Sequence, residues 1–151
     1  YIFFITTLIL LLDQFSKHII VTSPHIKNIS LLSNLFAFNL VRNTGAAFSL
    51  FQNYPFFLSF VSLLATVLLI FILIDKPSLP FYKGTAFALL LAGTLGNGID
   101  RWRLGYVIDF IEIVPFDFPI FNLADISINL AIFILLVENF KIPIGNNILK
   151  R

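Results

Sequence analysis

Two carboxylates stand where an apolar chain has little use for them. Asp109 lies in "YVIDFIEI", a strand-like run of apolar residues, and Asp125 lies in "FNLADISIN", at the doorway of a hydrophobic segment. In an apolar run a carboxylate is desolvated and its protonated form is favoured, whereas a helix N-terminus favours the ionised form. Asn122 ahead of Asp125 fits an N-cap with its capping-box partner, so that segment alone reads equally well as a good helix start. Taken together, the two environments pull apart in the way that lets a pair of acids share one proton. Such a pair hydrolyses amides: the ionised carboxylate takes a proton from water, the water attacks a peptide carbonyl, and the protonated partner polarises that carbonyl and then protonates the leaving amine.

Other chemistries lack their residues. There is no Cys, which excludes disulfides, thiolate nucleophiles and Cys-based metal sites. His18 and His25 are the only histidines, without the spacing of a zinc motif, and read as interfacial loop residues. Neither a GxSxG elbow nor a phosphate-binding loop occurs, so no metal and no cofactor is expected.

Further polar residues need a reason in so greasy a chain. Asp13 and Lys17 stand at i and i+4, acid first, which favours a structural ion pair over direct chemistry. "RNTGAAFSLF" offers Asn43 and Gly45 on thinly covered backbone, either a turn into the next helix or an edge that holds an extended peptide. "GTLGNGIDRWRLGYVIDFIEI" carries Gly96, Asn97, Gly98, Asp100 and Arg101. Its plain reading has the glycines ending a helix and Asp100-Arg101 forming an exposed ion pair. Asp100 is the main rival to Asp109 as second acid, but the adjacent Arg101 favours its ionised, ion-paired form.

The elements that must position these groups are membrane elements. Of 151 residues, 58% are hydrophobic and 12% charged, with mean hydropathy +0.95, outside the range of soluble domains. Spans are expected at about 1–20, 54–74, 81–99 and 122–140, the second an uncharged run long enough to cross a hydrocarbon core of about 30 Å. Loops at about 21–53 and 100–121 should fold. In the first, "NISLL" and "LFAFNLV" flank Ser33-Asn34, with Phe36, Phe38 and Leu40 alternating as in a strand. The fold class is thus a membrane all-α bundle of four transmembrane helices, with a small extracytoplasmic β-hairpin or sheet on the membrane surface, in a single domain.

An even number of spans puts both termini on one side. Lys76, Lys83, Lys141, Lys150 and Arg151 there oppose Lys17, Lys27, Arg42, Arg101 and Arg103, an undecided tally from which cytoplasmic termini are expected. With no Met anywhere, the natural N-terminus is expected to lie upstream. Two other function classes fit such a chain: a transporter or channel subunit relaying protons or ions, and a noncatalytic subunit whose polar residues bind partner helices. Against the first, the acids gather at one surface and no inverted repeat is visible.

"LLDQFSK", "VRNTGAAFS", "GNGIDR", "GYVIDF" and "FNLADISI", in this order, resemble the bacterial lipoprotein signal peptidases, the type II signal peptidases. The resemblance covers nearly the whole chain, and five ordered blocks are far more specific than any one. It implies an inner-membrane aspartic endopeptidase that removes the signal peptide from diacylglyceryl-modified prolipoproteins, on the N-terminal side of the lipidated Cys. Asp109 and Asp125 match the family's catalytic aspartates. Asn43, Asn97, Arg101 and Asn122 match polar positions around the site, Asp13 and Lys17 match the first block, and Gly45, Ala47, Gly96, Asp100 and Ala124 fit the pattern. The resemblance also implies membrane lipid and globomycin-type cyclic peptide inhibitors as partners. A monomer is expected, with no nucleic acid bound.

Overall fold

A cluster of polar side chains lies inside this protein, and many large apolar side chains lie on its outside. Asp13, Lys17, Asn97, Asp100, Asp109 and Asn122 are buried, while Phe3, Phe4, Phe56, Phe60, Phe71 and Phe133 are exposed. Exposed aromatic and aliphatic surface on this scale is stable against hydrocarbon rather than water.

The computed structural model describes residues 1–23, 25, 30–31, 35–46, 50–52, 54–76 and 78–139. Their order is α1 (Ile2–Thr22), β1 (Ser30–Leu31), β2 (Phe36–Asn43), α2 (Pro55–Asp75), α3 (Phe81–Leu104), β3 (Val107–Ile113) and α4 (Leu123–Asn139). Ser33-Asn34, expected at a hairpin turn, lies outside the described residues, as do Lys27, Ala47, Lys141, Lys150 and Arg151. By length and composition α1 and α2 are apolar enough to cross a membrane.

Helix α3 is the central post and touches each of the other three helices. Its small residues allow this. A Cβ added at Gly93 would lie 2.5 Å from the Ala124 carbonyl oxygen, and one at Gly96 would lie 2.6 Å from Asp13 Oδ2. Leu69, Leu73 and Leu91 close the seam between α2 and α3, and Ala86, Leu89 and Ala131 the seam between α3 and α4. Helix α2 begins at Pro55, whose ring suits a first helical position that has no hydrogen bond to lose.

The glycines at 96 and 98 do not end α3. The helix runs on to Leu104, and Gly105 terminates it at φ 80°, a left-handed conformation that favours glycine, with its N–H donating to the Arg101 carbonyl at 3.0 Å. The chain then turns directly into β3. The sheet has the order β1-β2-β3, antiparallel throughout, with a register irregularity in β2 between Phe38 and Val41. The strand-like run of the second loop is β3, and its pairing with β2 makes the element a three-stranded sheet. Ile20, Ile108 and Phe110 pack this sheet onto the end of α1, with Phe38 and Leu40 against them.

Candidate active site

Three local devices bring Asp109 and Asp125 to one place. Strand β3 carries Asp109, paired with Val41 of β2, in the buried first half of the strand, where its side chain is 2% exposed. Helix α4 begins one residue after Asn122, and Asn122 and Asp125 form a reciprocal cap. The Asn122 N–H donates to Asp125 Oδ2 at 3.1 Å and the Asp125 N–H donates to Asn122 Oδ1 at 2.9 Å. The isolated bridge between Ile111 and Phe121 pins the start of α4 beside β3.

Asn122, fully buried, joins the two acids. Its Nδ2 donates to Asp109 Oδ1 at 2.7 Å, and also reaches Asn97 Oδ1 at 3.0 Å and the Ile108 carbonyl at 3.3 Å. Asn43 Nδ2 donates to Asp109 Oδ2 at 2.8 Å, and Asn97 Nδ2 donates to Asp125 Oδ1 at 2.8 Å. Each carboxylate therefore has both oxygens held. Burial pushes the Asp109 pKa up to about 6, and the charge of Asp125 adds to the rise, against lowering by the Asn43 and Asn122 amides and by Lys17. Asp109 is thus poised to keep a proton that an ordinary aspartate would release.

The remaining sequence candidates fall into two groups. Asp13, Lys17, Asn97 and Asp100 form a buried polar cluster behind the pair: Lys17 Nζ lies 2.9 Å from Asp13 Oδ2, 2.8 Å from Asp100 Oδ2 and 3.1 Å from Asn97 Oδ1. The cation that meets Asp100 is Lys17 and not its sequence neighbour Arg101, and Asp100 is buried instead of exposed. Arg101 Nη2 donates to the Gly45 carbonyl at 3.0 Å, and the Gly45 N–H donates to Asn43 Oδ1 at 2.9 Å. Asn43 and Arg101 thus tie the loop after β2 to Asp109 and to α3. Ala124 is fully buried against Gly96.

Gln14 also joins the buried cluster, a role that its place in the sequence does not signal. Its Nε2 reaches Asp13 Oδ2 at 3.1 Å, the Gly96 carbonyl at 3.2 Å and Asp100 Oδ1 at 3.2 Å. Nothing in the helical spacing signals this, since neighbouring positions on a helix do not share a face. His18 and His25 are exposed, though His18 lies in the last part of α1 and not in a loop, and no group of three or more potential metal ligands occurs among the described residues.

A helical membrane enzyme is the class that fold and comparison define. A solved bacterial membrane enzyme, determined by the in meso method at 2.3 Å, superposes with a TM-score of 0.84 at 30% identity, covering 91% of this chain and 86% of that one. The family model described as signal peptidase (SPase) II matches residues 5–141. Lipoprotein signal peptidase of Parasynechococcus marenigrum (strain WH8102) is 48% identical over 132 residues, 87% of this chain and 83% of that protein. Its counterpart in Synechococcus sp. (strain RCC307) is 49% identical over 135 residues, 88% and 89% of the two chains. The chain belongs to the signal peptidase II family and is a peptidase of lipoprotein processing.

Proposed function

We propose that this chain is an aspartic endopeptidase working at the membrane surface. It cleaves diacylglyceryl-modified prolipoproteins on the N-terminal side of the lipidated Cys, with Asp109 and Asp125 acting on one water. The observation that carries this reading is the placement of both carboxylates on the buried Asn122, Asp109 held by its side-chain amide and Asp125 by its backbone N–H in the reciprocal cap. Asp109, holding its proton, polarises the scissile carbonyl and later donates that proton to the leaving amine as the C–N bond breaks. Asp125, held by the Asn97 amide and by the first turn of α4, takes the proton from water. Asn43 and Asn122 orient the Asp109 carboxyl, so little reorganisation is needed at the moment of reaction.

Substrate and enzyme meet by lateral diffusion in this reading. The acyl chains stay among the exposed Phe and Leu side chains, while the peptide reaches the site beside the sheet. The four helices all cross the inner membrane, both termini face the cytoplasm, and the sheet lies on the far side. The monomer carries the whole site, and globomycin-type cyclic peptides compete for it. Purified protein in detergent, incubated with a lipidated propeptide, tests the reading by mass spectrometry of the products. Cleavage immediately before the lipidated Cys, unaffected by a chelator, is expected; an intact propeptide, or cleavage at another bond, contradicts it.

A further inference from the structure

Asp109 and Asp125 come from different elements, so something must fix their separation. The residue before each of them is gripped in the same way. The Ala124 N–H donates to Asp13 Oδ1 at 2.9 Å, and the Ile108 N–H donates to Asp100 Oδ2 at 3.2 Å. Both gripping carboxylates are bound by one ammonium, since Lys17 Nζ lies 2.9 Å from Asp13 Oδ2 and 2.8 Å from Asp100 Oδ2. Its third contact, Asn97 Oδ1 at 3.1 Å, belongs to the amide that holds Asp125 Oδ1. An ammonium has three N–H donors and no acceptor, and all three are used. Gln14 links the same two carboxylates from the side.

Lys17 is 1% exposed, so water does not compete for these contacts. A buried ion cluster contributes little net stability, because desolvation offsets its attraction. What it does supply is geometry: three acceptors from two helices converge on one point. We propose that Lys17 is a positioning residue of the peptidase: one buried cation holds Asp13 and Asp100 at a fixed separation, and through them the two peptide N–H groups that immediately precede Asp125 and Asp109. The inference rests on the reading of those two aspartates as the catalytic pair.

Mere neutralisation of the two carboxylates would be served by any buried cation, and Lys17→Arg separates the two ideas. The guanidinium keeps the charge, but its planar fork cannot converge three donors on one point. Since about 1 Å of misplacement costs on the order of 100-fold in rate, kcat in the full-length protein should fall by about that factor, with KM within about threefold of wild type. A second variant, Lys17→Met with Asp100→Asn, removes one charge of each sign. The amide oxygen introduced at position 100 still accepts from the Ile108 N–H, and the same kcat loss at constant KM is expected.

Thermal melting establishes that each variant is folded. A folded variant with kcat within about threefold of wild type overturns the inference, since a group that fixes 1 Å geometry cannot be dispensable. Failure of both variants to melt cooperatively also overturns it, making Lys17 a folding element only. Asp109→Asn and Asp125→Asn are run beside them. If these two cleave, the catalytic reading itself fails; cleavage that needs both aspartates but tolerates the Lys17 variants removes the positioning role alone.

Discussion

Asn122 donates its side-chain amide to Asp109 at 2.7 Å from inside the cap that opens α4. One residue thus sets both the start of a helix and the orientation of an acid on a separate strand. Replacing it by Ala should cost about 1 kcal/mol of stability through the lost cap. The larger effect should fall on turnover, lowering kcat on the order of 100-fold through loss of alignment. Steady-state kinetics beside thermal melting checks the contrast; a variant that loses stability but keeps kcat would make Asn122 a cap and nothing more.

The titration of Asp109 gives a pH dependence with a definite sign. Its pKa in the folded protein, about 6, lies above the ordinary 3.8, so at intermediate pH the folded chain holds a proton that the unfolded chain has released. Stability from that proton is fully present below about pH 4 and is lost as the pH rises through about 6. Melting temperature in detergent should therefore fall across this window, and Asp109→Asn should remove that part of the slope. In the free enzyme kcat/KM should decline as the same proton leaves. Asp125→Asn, which deletes a charge that raises the Asp109 pKa, should move the stability change to lower pH.

Gly93 permits a close approach of α3 to α4. A methyl group there meets backbone, the Ala124 carbonyl oxygen at 2.5 Å, and backbone cannot swing aside. Gly93→Ala should destabilise by about 1–3 kcal/mol and displace the residue that precedes Asp125. Melting and cleavage should fall together; an unchanged melting temperature would show that the two helices are not packed as described.

The absence of Cys makes topology directly measurable. Single cysteines at Asp117, in the turn after β3, and at Lys76, after α2, should label from opposite sides of the membrane in intact cells. Asp117→Cys should react with an impermeant maleimide from outside, and Lys76→Cys only after permeabilisation. Equal labelling of both would contradict the four-span arrangement.

The site and the fold were legible in the sequence to different depths. Asp109 announced itself as a carboxylate in an apolar run, and the capping pair Asn122 and Asp125 is a local pattern that the structure reproduces hydrogen bond for hydrogen bond. The Asp13–Lys17 pair was equally local, at one helical turn. The extension of that pair to Asp100 and Asn97 was not, because those contacts depend on how closely α1 approaches α3. Gly96 and Gly98 misled for the same reason: they read as helix breakers, yet Gly96 is small because Asp13 and Ala124 press on it, and the true stop is Gly105. The strand-like run around Asp109 was legible too, but its pairing with β2 was not, since that pairing joins segments distant in sequence.

In the proposed mechanism hydrolysis runs through Asp109 and Asp125 together. Single-turnover cleavage of a lipidated propeptide by wild type, Asp109→Asn and Asp125→Asn, each shown by melting to be folded, tests it most directly. Either substitution alone should lower the rate by at least about 10³-fold, and combining them should add little, because residues that act as one unit lose their function as one. Substantial turnover by a folded Asp109→Asn or Asp125→Asn protein, or losses that multiply in the double variant, would show that the two aspartates do not act as a pair.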